Sequence, residues 1–225
     1  MKLPGILVIF HDVAAGHDPQ VRAWYAGEHH FERLAIPGFE EVHRYDLASG
    51  RGGAVLNLYR ATDVDVFASE AYRARLAAPS AGTRSAMPHF RAMSRTACTL
   101  RAQAGRAEGA WLAVVALPRV DGDWPGAGRG RLAYLLDRPG MLRVRWIVAE
   151  PGVARPTAEA CLRGEPDAGI GGAVLIDAED QPAAQYALAQ ATALLEAGPG
   201  GVGASQCGVW RLAFAARGGT LSPPS

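Results

Sequence analysis

Strand-like and helix-like runs of apolar residues alternate along this chain and set out its architecture. Residues 6–11 form a short apolar run ending in His11, a polar loop follows, and residues 18–34 carry apolar positions at helical spacing until Pro37 and Gly38 stop them. Residues 39–47 and 54–60 alternate as two strands joined across the glycine-rich residues 49–53, which predicts a hairpin. A second helix starts at Thr62 or Asp63, a plausible N-cap, and passes Val66, Phe67, Tyr72 and Leu76 before Pro79 breaks it. A last strand of this half is expected over residues 89–100.

That order, β-α-β-β-α-β, is the ferredoxin-like arrangement, in which an antiparallel sheet carries both helices on one face. The second half repeats it less cleanly. Strands are predicted over residues 111–117, 141–149, 173–176 and 206–215, a short degenerate helix over residues 130–137, and an alanine-rich helix over Gln181–Glu196. The chain therefore divides into a ferredoxin-like half at 1–104, a second half at 109–216 and a disordered tail at 217–225. Residues 101–109 act as connector. Each four-stranded sheet has one face bare of helices, and the two halves can cover those faces by packing together. The expected fold class is α+β, two tandem ferredoxin-like halves forming a pseudo-dimeric α/β barrel.

Composition narrows the partners. With 49% apolar residues, 20% charged and a net charge of +1, the chain has ordinary globular composition and no surplus of cations for a nucleic acid backbone. Cys98, Cys161 and Cys207 are odd in number and far apart, which reads as core-filling thiols in a reducing, cytoplasmic setting. The apolar run at residues 6–10 is too short for a signal core, and no stretch approaches the length that spans a bilayer. A small-molecule ligand is the expected partner, and a homodimer is compatible with the pattern.

Trp24, Tyr25, Glu28, His29 and His30, followed by Ile36, Pro37, Gly38 and Phe39, resemble the dimeric α/β-barrel superfamily, in particular EthD-like proteins and their relatives. Arg44, Tyr45, the Tyr59 region, Ala71 and Tyr72, and residues 88–91 extend the resemblance over residues 6–100. It implies a fold. It implies less about activity, because that superfamily includes monooxygenases, lactone isomerases, polyketide cyclases, dehydratases and haem enzymes. Many relatives pair two chains, so a tandem version reads as a fused pseudo-dimer.

All six histidines, His11, His17, His29, His30, His43 and His89, lie in the first half, which suggests one functional half and one structural half. At 100° per residue, Glu28 falls within the apolar stripe of the first helix. A carboxyl there would be desolvated and able to serve as an acid or base near neutral pH, or would pair with Arg91 or Arg95. His29 and Arg33 share the stripe's edge beside Tyr25, and His30 is expected in solvent. On the second strand, Phe39, Glu41, His43, Tyr45 and Leu47 share one face. With His11, Asn57 and Tyr59 from neighbouring strands, His43 and Tyr45 could line a half-polar cavity. The alternative is a hydrogen-bonded polar interior. No metal-ligand spacing is present, Ser94 and Ser205 have no nucleophile-elbow context, and the glycines at 126, 128 and 130 read as loop.

These residues predict a cofactor-independent enzyme transferring protons on an aromatic or polyketide-like acid. His29, His43 or Glu28 would act as base or acid, while His11, Tyr45, Tyr25, Asn57 and Tyr59 would bind substrate. The alternatives are a non-catalytic small-molecule binding protein, stress-related or otherwise, and a haem-dependent enzyme.

Overall fold

The computed structural model describes residues 2–120, 133–153, 157–196 and 205–219. The first half runs β1 (Gly5–Val13), α1 (Asp18–Trp24), a π-helical turn (Tyr25–His29), α2 (His30–Leu34), β2 (Phe39–Arg51), β3 (Val55–Ala61), a 3-10 turn (Val64–Ala68), α3 (Glu70–Ala77), α4 (Ala81–Ala86) and β4 (Phe90–Gly105). The second half has β5 (Trp111–Leu117), a 3-10 turn (Tyr134–Asp137), β6 (Met141–Ala149), α5 (Ala158–Arg163), β7 (Gly172–Ala178), α6 (Gln181–Glu196) and β8 (Gln206–Arg217).

The eight strands close into one antiparallel barrel in the order β1-β3-β2-β8-β5-β7-β6-β4. Closure leaves no sheet edge unpaired. An eight-stranded barrel is just wide enough for its own side chains to fill. Phe10, Leu56, Leu58, Leu100, Val114 and Trp210 pack its centre.

Several boundaries differ from those the periodicity predicts. Strand β2 continues through the glycine-rich stretch to Arg51, because its far end pairs with β8 as far as Cys207. Strand β4 likewise extends through most of the expected connector, because Ala104 and Gly105 pair with Val144 and Arg143 of β6. The second helix is broken into a 3-10 turn and α3, each with its own cap: Asp63 accepts from the Asp65 amide and Ser69 from the Tyr72 amide. The expected helix at 130–137 is described only at its end, and residues 126, 128, 130 and 220–225 lie outside the described residues.

One element was not foreseen. The connection from β6 to β7 is an excursion carrying α5, which Thr157 caps by accepting from the Ala160 amide and Gly164 ends with a φ of 77°. It crosses onto the first half, where the Ala168 amide donates to the Met93 carbonyl and the Arg95 amide donates to the Ala168 carbonyl. Among the described residues no helix is long and apolar enough to cross a membrane.

Candidate functional site

The site is organised by the π turn in the first helical run. A π turn closes i to i−5 and so holds one residue more than an α turn; here the His30 amide donates to the Tyr25 carbonyl. Trp24 and Tyr25 face the sheet, and the inward phase returns five residues later, at His29 and His30, then at Arg33. This corrects two expectations built on an unbroken α period. His30 is fully buried instead of solvated, and Phe31, which an unbroken α period puts on one stripe with Trp24, is 51% exposed. Glu28 is likewise turned away from the cleft: it is half-buried and accepts from the Ser80 hydroxyl beside Gly82, joining the first helical run to α4.

Beneath the turn, β1 and β3 offer His11, Asn57 and Tyr59 on the outer face of the barrel. Tyr25 ties them together. Its hydroxyl lies 2.9 Å from His11 Nε2 and accepts from Asn57 Nδ2 at 3.2 Å, while His11 Nδ1 lies 3.2 Å from the Asp12 carbonyl. A carbonyl only accepts, so His11 carries its proton on Nδ1, and Nε2 accepts from the Tyr25 hydroxyl. The chain of donors thus runs from Asn57 through Tyr25 and His11 to Asp12. His30 Nδ1 lies 2.9 Å from the Tyr59 hydroxyl, with the ring stacked between Tyr25 and Phe214.

Burial keeps these histidines neutral. Desolvation lowers His11 to about 4, against the pull of the Asp12 carbonyl, and desolvation with the cations of Arg44 and Arg33 lowers His30 to about 3. His29 is held well below its usual value by burial first and by Arg33 next. Its Nδ1 is buried without a partner, its ring packs on Trp24 at 4.2 Å between centroids, and Tyr25 meets it edge-on at 5.5 Å. Asn57 Oδ1 and His30 Nε2 are also buried and unpartnered. Buried polar atoms are normally satisfied, so a cluster of open ones marks a place where water or a ligand sits.

His29 borders a cavity of about 30 Å³ together with Tyr25, Tyr59, Tyr72, Arg33 and Phe90. That volume holds about one or two waters. Its roof comes from the second half: Glu159 and Arg163 of α5 line it, and Glu159 pairs with Arg33, both nearly fully buried. Arg95 lines it too, donating to the Tyr72 hydroxyl at 2.9 Å. The wall is therefore apolar and phenolic, with the guanidiniums of Arg33, Arg95 and Arg163, of which Arg33 pairs with Glu159 and Arg163 with Asp167.

His43 and Tyr45 do not join this cluster. Directly opposed residues of a strand pair share a face, and β2 pairs His43 with Leu58 and Tyr45 with Leu56, both inside the barrel, whereas Arg44 pairs with Asn57 and Val42 with Tyr59 on the outside. The expectation of one cavity lined by all five residues is thereby corrected: the sheet separates two groups. A register irregularity between Phe39 and Glu41 also moves Phe39 to the outer face, away from His43. At its own end of the barrel, His43 Nε2 lies 3.4 Å from Glu108, which meets Arg143 at 3.0 Å, while Arg143 and Arg145 both hold Asp177. Two guanidiniums face two carboxylates there, a balanced ion network. Burial lowers the pKa of His43, and the nearby Glu108 opposes it.

The sequence reading missed Arg95, Tyr72, Glu159 and Arg163. Thr157 and Gly164 bracket α5 as cap and terminator, the one local signal that could have found the last two. Among the described residues no group of three or more histidine, cysteine or acidic side chains is placed to hold a metal ion.

No family profile matches the chain, and no curated protein sequence does. Solved structures do. A protein assigned as a monooxygenase from Fusobacterium nucleatum subsp. nucleatum superposes with a TM-score of 0.59 at 7% identity, covering 97% of this chain and 96% of its own. An anthrone oxidase-like protein gives 0.55 at 10% identity over 97% and 94%, and a protein assigned as a chlorite dismutase gives 0.53 at 14% identity over 95% and 96%. At such identities the likeness is one of fold: the chain shares with these proteins a mixed α+β architecture, closed here as a single eight-stranded barrel.

Proposed function

We propose that the chain is an enzyme that moves a proton on an aromatic or polyketide-like acid without an organic cofactor, with His29 as the base. The observation that carries this reading is the unpartnered, buried Nδ1 of His29 at a cavity walled by phenols and guanidiniums. A neutral imidazole can accept a proton. Burial makes a lone imidazolium costly, so transfer is favourable only when the substrate's anion forms beside it and the pair shares the site. Arg33 and Arg163 flank that position and would stabilise an enolate or phenolate as its charge develops. Tyr25, with its own proton committed to His11, would position the ring face of a substrate, and Asn57 Oδ1 offers a fixed acceptor. His43 and Tyr45 take a structural role in the barrel network on this reading, and Glu28 anchors α4.

The neighbours include an anthrone oxidase-like protein and a protein assigned as a monooxygenase, which is compatible with an enzyme on this fold acting on flat activated rings. The haem reading is not better supported than this one; cavity size does not separate the two, since the His29 cavity of about 30 Å³ would have to open for an aromatic acid as well as for a macrocycle. The fused pseudo-dimer reading is supported by strand order. Each half contributes its strands as fourth-first-third-second around the barrel, and the second strand of each pairs with the fourth of the other.

The test is incubation with a panel of hydroxynaphthoic, hydroxyanthracenoic and β-keto aromatic acids, followed by mass and NMR analysis. New product formed by the wild type and lost in His29→Ala supports the enzyme. Saturable binding with every ligand recovered unchanged would replace it with the sequestration reading.

A further inference from the structure

A second cavity, of about 280 Å³, opens beside the His29 cleft and shares Arg95 and Thr157 with it. Phe67, Leu76 and Val153 give it apolar walls, and it is bounded by α3 on one side and the β6–β7 excursion on the other. Two guanidiniums line it, Arg73 and Arg95, and among the described residues no acidic side chain does. Arg95 is half-buried, and its hydrogen-bond partner is a neutral phenol: Nη2 donates to the Tyr72 hydroxyl at 2.9 Å, with the guanidinium carbon 5.7 Å from the centre of that ring. Among the described residues, neither Arg73 nor Arg95 has a carboxylate within ion-pair distance. Asp167 and Glu159 act on the Arg95 guanidinium only from beyond ion-pair distance, each being paired with another arginine, so it retains N–H donors in a fork suited to a carboxylate.

We propose that this outer cavity is the anion subsite of the protein, taking a flat aromatic carboxylate with its carboxyl group on Arg95 and its ring against Phe67, Leu76 and Val153. Arg73, exposed at the rim, draws the anion in and adds little once it is bound. Arg95 lines both cavities, so the acid group it holds sits at the boundary with the His29 cleft while the ring occupies the outer cavity. The inference deepens the acid-base reading and rests on it for the substrate's being an aromatic acid. The subsite itself is tested by binding alone.

The experiment is isothermal titration of the full chain at pH 7 with 2-naphthoate and with its neutral counterpart 2-naphthamide. The wild type is expected to bind the naphthoate about tenfold more tightly than the amide, the scale of one charge-assisted bidentate contact. Arg95→Met should abolish that preference and leave amide binding in place, and Arg73→Met should reduce it by about threefold or less. Arg95→Lys keeps a cation under Tyr72 and covers the case in which the methionine variant does not fold. It should weaken naphthoate severalfold without changing the amide. Equal binding of the two compounds by the wild type, no saturable naphthoate binding, or a full preference in folded Arg95→Met would overturn the subsite. A preference that follows Arg95 in a protein that turns over no acid would retain the subsite and remove only the His29 chemistry.

Discussion

Over the second half of the barrel, α6 lays Ala184, Ala187 and Ala191 on Val115, Val174 and Ile176, with every one of these side chains buried. Over the first half, the helical run with its π turn sets Tyr25, His29, His30 and Arg33 on His11, Asn57 and Tyr59. The scaffold beneath both is one closed eight-stranded barrel. Alanine lets a helix sit close to the strands and fills the contact with methyl groups, which leaves nothing to satisfy and no room for a guest. Large polar rings hold the helix away, and their hydrogen bonds must be made in particular directions. In this packing several go unmade, at His29 Nδ1, His30 Nε2 and Asn57 Oδ1. Two helical layers on one barrel thus differ in whether they leave buried polar atoms open. The second half also serves the first, since its α5 excursion supplies the lid residues Glu159 and Arg163.

The sharpest way to break this contrast is at His29. His29→Ala should lower turnover by about 10²- to 10⁴-fold, the range for losing a general base, with the folded state intact by circular dichroism. His43→Ala should leave turnover within a few-fold. Next comes the lid. Glu159→Ala leaves Arg33 buried without its carboxylate and is expected to destabilise by about 3 kcal/mol or more, read by urea denaturation, and to lower turnover as well. In the quiet half, Ala187→Leu adds volume where α6 has none to give and should cost about 1–3 kcal/mol without changing turnover of the molecules that remain folded.

Acid stability tests the same contrast without reference to turnover. His11, His29 and His30 have folded pKa values below the usual 6.5 of the unfolded chain. The unfolded state therefore binds more protons once the pH drops below about 6.5, and the stability these neutral rings contribute is present above that pH. It is lost as pH falls from 6.5 through the folded values, with a limiting slope of about 1.4 kcal/mol per pH unit for each ring. Unfolding followed between pH 7 and pH 5 should show this decline, and His30→Phe, which keeps the stacking on Tyr25 and Phe214, should remove about a third of it.

Much of the fold could be read from the chain because two-residue alternation and glycine or proline stops are local properties. All eight strands lie where that alternation puts them, and α6 matches residue for residue. The site was legible in its ingredients and less so in its arrangement. Tyr25, His29, His11, Asn57 and Tyr59 come together, but parity within a strand does not say which face of a barrel a residue takes. That depends on register with the neighbour, and the pairings of His43 with Leu58 and Arg44 with Asn57 decide it. The π turn changed the inward phase from Glu28 to His30 with no local marker. The α5 segment is six residues long and is held by contacts such as Glu159 to Arg33, 126 residues apart. No window on the sequence contains both partners.

The most direct measurement is exchange of the substrate's acidic C–H proton with deuterated solvent, followed by NMR for any aromatic acid the protein binds, in the wild type, His29→Ala and His43→Ala. The account predicts deuterium incorporation by the wild type and by His43→Ala and none above background by His29→Ala. Undiminished incorporation by His29→Ala, or its loss in His43→Ala alone, would contradict the claim that the chemistry resides in the outer cleft of the first half.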